Sequence, residues 1–409
     1  MLPAFVDVVV VGAGPSGAIA SSLLKRKGHN VIVFEKAHFP RFSIGESLLP
    51  QSMVYLEEAG LLQAVQNAGF QFKNGAAFVR NDEYGWFNFE DKFTPGWGAT
   101  FQVERASFDK LLADGAAEQG VDIRYGYDVV AMRPGRQPEV DVMTPEGARH
   151  TVKAGFVLDA SGFGRVLPRL LELETPSTFP SRTSVFTHIE DNISDPDFDR
   201  NKILITVHPE YSDVWFWLIP LAANKCSFGV VAREENLQQY SDDGGELLFA
   251  LRDTVPPLNT LLDRAELLFE PRRITGYSCN VRSLHGEGYA LLGNAGEFLD
   301  PVFSSGVTIA VKSASLAANL LDQQLRGEKV DWEQGYARLL MQGVNTFRAY
   351  VEAWYDGRLQ DIIFAKEHNS EIKKMICSVL AGYAWDAENP YAQESARKLS
   401  ILAQLCRSM

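Results

Sequence analysis

FVDVVVVGAGPSGAIASSLLKRKGHNVIVFEK, Phe5 to Lys36, is the stretch whose reading decides the fold. It opens on a β-branched apolar run, Phe5 to Val11, that suits a strand buried on both faces. Gly12-Ala13-Gly14-Pro15-Ser16-Gly17 follows at once. A helical stretch runs from Ser16 to Arg26 and is closed by Lys27-Gly28-His29. Val31 to Phe34 is again strand-like and ends at Glu35. Strand, helix and strand in so short a span make one βαβ unit of a parallel sheet.

The turn is a G-x-G-x-x-G fingerprint, here placed directly after a strand and opening a helix. Gly12 permits the tight turn, and Gly14 lets backbone amides approach a diphosphate. Gly17 lets helix and strand pack closely, and the helix N-terminus faces the anion. Pro15 and Ser16 belong to the same candidate site. Glu35 stands 18 residues after Gly17, where a carboxylate accepts hydrogen bonds from an adenosine ribose and repels a 2′-phosphate. The bland alternative is a fortuitous Gly-rich turn. The order strand, helix, strand, acid favours a dinucleotide site, but it does not choose between FAD and NAD.

The 409 residues are 46% hydrophobic and 22% charged, close to globular averages, and suggest two or three lobes. A net charge of −13 without a strong Lys/Arg cluster argues against nucleic acid and anionic membrane surfaces. Arg272-Arg273 and Lys373-Lys374 are the basic pairs that an acidic partner would need, and such pairs are usually solvated surface. Four scattered cysteines without C-x-x-C, and histidines without H-x-x-x-H, point to neither a disulfide framework nor a metal site. With no leader pattern and no long apolar run, no membrane span is expected, and a reducing cytoplasm is the default location.

Residues 37–50 lack periodicity and read as a loop, and Ser52 to Ala68 reads as a helix. FQFKNGAAFVR, residues 70–80, alternates around Asn74-Gly75 and predicts a hairpin. Strand-like runs dominate from 181 to 275, broken by one acidic helical insert at 234–254. Residues 287–325 return to strand, Gly-rich loop and helix, and 331–409 is mostly helical by pattern. The expected fold class is α/β: a Rossmann-like dinucleotide-binding domain (1–69, 97–180 and 276–330) interleaved with a β-rich substrate domain (70–96 and 181–275). A helical C-terminal region, 331–409, follows.

Further segments carry a family resemblance. GAGPSG, FEK (34–36), RFSIGESLLP (41–50), QVERASFDKLL (102–112), LDASGFGR (158–165) and LLGNAGEFLDPVFSSGV (291–307) resemble the FAD-dependent monooxygenases, halogenases and geranylgeranyl-reductase-like enzymes. The matches span most of residues 5–315 and imply FAD as cofactor. By that resemblance Lys36, Ser43, Ile44 and Gly45 join the fingerprint in binding FAD, and Arg105 contacts the flavin. The Val129 backbone meets the adenine, and Asp159 ends the second nucleotide motif. Asn294, Asp300, Gly306 and Val307 lie along the ribityl chain and the ring.

Two segments are similar to the flavin-dependent halogenases in particular. Trp215-Phe216-Trp217-Leu218-Ile219-Pro220 matches their W-x-W-x-I-P signature. Alternate residues of a strand share a face, so Trp215 and Trp217 would wall one side of a passage from flavin to substrate. Lys73 resembles their essential lysine, which implies that reduced FAD, O2 and halide yield an electrophilic halogen passed through the lysine to an electron-rich aromatic ring. Ser305-Gly306 matches the segment whose amides hold the halide. The bland alternatives are an ordinary aromatic core strand, an exposed hairpin lysine, and a turn that binds the flavin ring alone.

The chain also departs from its relatives. The family's Gly-Asp-Ala reads Gly293-Asn294-Ala295, which removes a negative charge and implies weaker, exchangeable FAD. No second G-x-G-x-x-G is present, which implies a separate flavin reductase as partner. The chain is shorter than the free-tryptophan halogenases. Its tail, with Trp385 and Asn389-Pro390, resembles shorter enzymes acting on phenolic, pyrrolic or carrier-protein-bound aromatics. The competing expectations are an FAD-dependent hydroxylase, a geranylgeranyl-reductase-like dehydrogenase, or an inert flavoprotein of a biosynthetic complex.

Overall fold

Phe5–Val11 lies inside a sheet, paired in parallel with Arg149–Asp159 on one side and Val31–Glu35 on the other. Val8, Val9 and Val10 are wholly buried, which is why the run shows no polar alternation. Asp122–Tyr125 and Tyr289–Leu291 extend the parallel order at the two sides. In this computed structural model the described residues are 2–366 and 369–408; Glu367, His368 and Met409 of the expected helical region lie outside them.

Helices Pro15–Arg26 and Ser305–Leu325 cover one face through small side chains, among them Ala18, Ala314 and Ala317. Glu139–Met143 folds antiparallel onto Arg149–Asp159 and carries Asp128–Arg133 antiparallel in turn, and Val129, Val140 and Val142 pack over the other face. Gly17 is where helix meets turn: a Cβ there would stand 2.0 Å from the Gly12 carbonyl oxygen.

A second sheet runs in the order Glu266–Leu267, Thr183–Glu190, Lys225–Ala232, Trp215–Leu221, Lys202–Val207, Gly75–Arg80, Glu83–Asn88. Trp215–Leu221 is buried along its whole length. Its residues alternate as the strand period requires. Phe216 and Leu218 pack outward with Phe228, Leu247 and Leu251, while Trp215, Trp217 and Ile219 face the main core. The fold is therefore α/β, with a Rossmann-like sheet, a β-rich second sheet and a helical C-terminal end.

That helical end packs tightly. Trp354, on Arg338–Tyr355, is fully buried among Phe78, Trp215 and Phe303. Trp385 lies so close to Gly343 that a Cβ there would come within 2.1 Å of the indole. Asn389 caps the helix Pro390–Gln393. Among the described residues no helix is long and apolar enough to cross a membrane.

Two expectations fail for physical reasons. Asn74-Gly75 is not a hairpin turn. Gln71–Lys73 pairs with Thr100–Gln102, whereas Gly75–Arg80 joins the second sheet. Asn74 stays in the ladder, its N–H donating to Asn201 O and its carbonyl accepting from Phe89 N. Gly75 serves close approach instead, since a Cβ there would sit 2.2 Å from the Phe87 carbonyl oxygen. The helix expected over Ser52 to Ala68 breaks into Ser52–Glu58 and Leu62–Asn67, because Gly60 turns left-handed at φ +72°.

Replacing Gly17 tests the first sheet's closest contact. A methyl group cannot be placed without moving backbone, so G17A should lose about 3 kcal/mol or more. Chemical denaturation of the variant checks this, read together with its bound flavin.

Candidate active site

A cavity of about 1320 Å³ runs from the Gly-rich turn to the face of the second sheet that carries the tryptophans. Gly12, Gly14, Pro15, Ser16, Glu35 and Lys36 line it at one end. Gly12 holds φ +94°, and a Cβ there would meet the Ala160 carbonyl oxygen at 2.7 Å. The helix that begins at Pro15 has no side-chain cap, so its first amides are free for an anion. Glu35 fixes this turn through Oε2, which accepts from Ala13 N at 2.9 Å, while Oε1 accepts from Ala37 N at 2.9 Å. Lys36 pairs with Asp128 at 2.7 Å. Val129 lines the cavity at a break in strand register.

Ser43, Ile44 and Gly45 line the middle. Arg105 positions them. Asp109, one helical turn on, takes its Nε at 2.7 Å and Nη2 at 3.0 Å, and Nη1 donates to the Ile44 carbonyl. Asn294, Asp300, Gly306 and Val307 also line the cavity. Burial raises the Asp300 carboxyl to about 6. Its Oδ1 accepts from Val302 N, and its Oδ2 accepts from the Tyr355 hydroxyl at 2.9 Å. That hydroxyl in turn accepts from Trp215 Nε1 at 3.0 Å. Trp215 and Trp217 both line the cavity, with ring centroids 6.0 Å apart.

Four expected site residues do not line the cavity. Gly17 acts through packing. Ser305 is buried at the first turn of its helix, while its neighbours Ser304 and Gly306 face the cavity. Asp159 turns away: its carboxylate accepts from Ser161 N at 2.9 Å and Leu167 N at 2.6 Å, shaping the loop 160–166. Burial raises its pKa against those hydrogen bonds.

Lys73 is the fourth, and it is not an exposed hairpin lysine. It is fully buried, and its Nζ donates to Ser47 Oγ and the Leu48 carbonyl, each at 2.7 Å. The Phe89 ring lies 5.3 Å away. Burial lowers the amine to about 7. Ser47 itself lines the cavity, so the amine stands one hydroxyl behind the wall.

Sequence reading missed several members. Arg41 pairs with Asp109 at 3.2 Å and reaches within 3.4 Å of where a Gly14 Cβ would be, beside the free helix amides. Glu46 and Ser47 lie inside the quoted RFSIGESLLP without being singled out. Tyr355 and His188 carry no local signal at all, because their roles come from tertiary contacts.

FAD fits this site. Among the described residues Asn294 Oδ1 is buried and has no partner, as an acceptor awaiting a ribityl hydroxyl would be. The glycines clear the backbone approach, and Gly45, at φ +100°, stands 3.7 Å in Cβ distance from Val307 at the start of Ser305–Leu325.

The FAD binding domain family matches residues 5–332. A flavin-dependent halogenase of Armillaria mellea is 30% identical over 353 residues, covering 81% of this chain and 67% of that protein. A 1H-pyrrole-2-carbonyl peptidyl-carrier protein brominase of Pseudoalteromonas luteoviolacea is 25% identical over 395 residues, 93% of each chain. Among solved structures, a flavoprotein/dehydrogenase from Cytophaga hutchinsonii superposes with a TM-score of 0.96 at 44% identity, covering 99% of both chains. The myxobacterial chondrochloren halogenase gives 0.77 at 27% identity, covering 99% of this chain and 97% of that one. The chain belongs to the FAD binding domain family and, within it, to the FAD-dependent halogenases, as an FAD-dependent oxidoreductase.

Proposed function

We propose that this protein halogenates an electron-rich aromatic, phenolic or pyrrolic, using reduced FAD, O2 and a halide. The observation that carries the reading is Lys73: an amine brought down to about 7 by burial, sealed from water and one Ser47 hydroxyl from the cavity. A neutral amine is the form that accepts an electrophilic halogen, and desolvation supplies it near neutral pH. When bound, FAD supplies the oxidising power drawn from O2.

The chain's own residues do the rest. The fingerprint and Glu35 hold the dinucleotide, and Arg105 sets the loop against the ring. The Gly306 amide, at the helix start that lines the cavity with Ser305 buried behind it, holds the halide. Trp215 and Trp217 spend both indole N–H groups on Tyr355 and Ser227, leaving aromatic surface as the passage wall. In this reading residues 70–96 and 181–275 form the substrate domain. Reduced flavin comes from a separate reductase. The pyrrole-carrier brominase supports a carrier-bound aromatic.

A second reading, an FAD-dependent hydroxylase or a geranylgeranyl-reductase-like dehydrogenase, draws support from the 44% identical structure named flavoprotein/dehydrogenase. Anaerobic mixing with NADH and then NADPH separates the two. The halogenase should keep its oxidised flavin spectrum until a flavin reductase is added. With reductase, O2 and bromide it should then brominate a phenol or pyrrole. Direct bleaching by a nicotinamide, with no halide-dependent product, selects the second reading.

Two variants test Lys73. K73A should cut halogenation at least 100-fold while oxygen consumption continues as peroxide release; unchanged product formation removes Lys73 from the reaction. K73M tests the buried amine itself. Between about 7 and the ordinary 10.5 the unfolded chain holds a proton that the native state does not. Wild-type stability therefore rises with pH across that window, a rise K73M lacks. Melting temperatures from pH 7 to 10 should shift in favour of wild type by a few degrees; parallel curves would place the amine in water.

A further inference from the structure

Glu46 and Ser47 are consecutive residues, yet they serve different partners. Ser47 takes Lys73. Glu46 reaches across to the second sheet, where its Oε1 lies 2.6 Å from Nε2 of His188 on Thr183–Glu190. Glu46 is 1% exposed and lines the cavity. Its other oxygen, Oε2, is buried and has no hydrogen-bond partner among the described residues. A buried carboxylate oxygen without a donor is strongly unfavourable, so such an atom marks a place that something else completes.

Among the described residues the surrounding donors are engaged elsewhere. The His188 ring is flanked by Phe42 and Phe269, and its Nε2 is already spent on Oε1. Burial pulls the His188 imidazole down, the hydrogen bond and charge of Glu46 push it up further, and the net shift is upward. Lys225 is paired with Glu104, and Arg272 lies over the Phe42 ring at 3.8 Å. The dinucleotide end of the cavity is built on the first sheet. Glu46 is tied to the second, which carries Trp215 and Trp217.

We propose that Glu46 Oε2 accepts the hydrogen bond of the aromatic substrate's O–H or N–H, so that the cavity selects phenols and pyrroles over their O- or N-methylated counterparts. The proposal rests on the reading that an aromatic substrate enters this cavity. His188 holds the carboxylate in place as a positioning residue. An anionic acceptor on the substrate's heteroatom also raises electron density on the ring carbons beside and opposite it, which are the carbons an electrophile attacks.

The test is binding, with no halide, oxygen or reductase present. FAD-loaded wild type is titrated with 4-nitrophenol, at a pH that leaves the phenol un-ionised, and separately with 4-nitroanisole. The phenol should bind at least tenfold tighter, and E46Q, which turns a donor toward the substrate, should lose that preference. Equal affinity for the two probes in wild type overturns the proposal, and this arm needs no variant to fold. An E46Q protein that keeps the preference but sheds FAD also overturns it, by giving Glu46 to the cofactor. Failure of the halogenase reading looks different: the preference for the phenol is kept, and no halogenated product forms with any reductase.

Discussion

The grip of Asp109 on Arg105 fastens the segment on which the rest of the site is built. The guanidinium is 8% exposed and held at two points within one helical turn. Its remaining arm reaches the Ile44 carbonyl. Backbone bonds complete the seam: Val103 N donates to Glu46 O at 2.7 Å, and Leu48 N donates to Phe101 O at 3.2 Å. A buried, bidentate, charge-assisted pair is rigid in a way that a loop alone is not. Breaking one by removing a partner costs about 3–5 kcal/mol, because the other charge is stranded. From this seam Glu46 crosses to one sheet and Ser47 to the lysine, so both handles of the cavity inherit their positions from Arg105.

The cavity divides by polarity in a way that follows from the two sheets. The parallel sheet ends in turns, and turns present backbone amides, which suit a diphosphate. The antiparallel sheet presents side chains of one strand face, which here are Trp215, Trp217 and Ile219. Both indole N–H groups are tied off behind the wall, so the surface offered is aromatic carbon. Asp300 sits at the join, held by the Tyr355 hydroxyl and a backbone amide. That tether explains how a carboxyl so deeply buried stays in a fixed orientation.

The first sheet was legible because its signals are local. A valine run, a glycine turn and a distant acid each report a constraint within the βαβ unit, and Trp215 and Trp217 share a face as strand period requires. Asn74-Gly75 misled for the opposite reason. Its local signal is that of a turn, but the glycine is demanded by strand packing, with the Phe87 carbonyl oxygen of the paired strand 2.2 Å from its missing Cβ. The same turn signal is what made an exposed hairpin lysine the bland alternative to the catalytic reading of Lys73. Once residues 71–73 pair with Thr100–Gln102, the side chain points inward and the amine loses water. His188 and Tyr355 were illegible altogether. Their roles rest on contacts 142 and 55 residues apart in sequence, which no spacing rule reaches.

Fold and activity part company at a small number of atoms here. A structure named flavoprotein/dehydrogenase and one of a halogenase superpose on the same chain, so the shared scaffold cannot be what separates their chemistries. What a halogen-transferring site needs beyond flavin binding is a nucleophilic amine kept neutral, and a route to it that excludes bulk water. Burial moves the Lys73 amine toward the first, lowering it to about 7. In the proposed function the Ser47 hydroxyl marks the second, since among the described residues it is the side-chain partner of Lys73 Nζ that also touches the cavity. A serine is small enough to pass a triatomic oxidant and polar enough to hold the amine's lone pair or proton in register. An apolar residue in its place would leave the amine only the Leu48 carbonyl as partner, and a carboxylate would draw it toward its charged form. The fit between Lys73 and its neighbour is thus a matter of charge state as much as of distance.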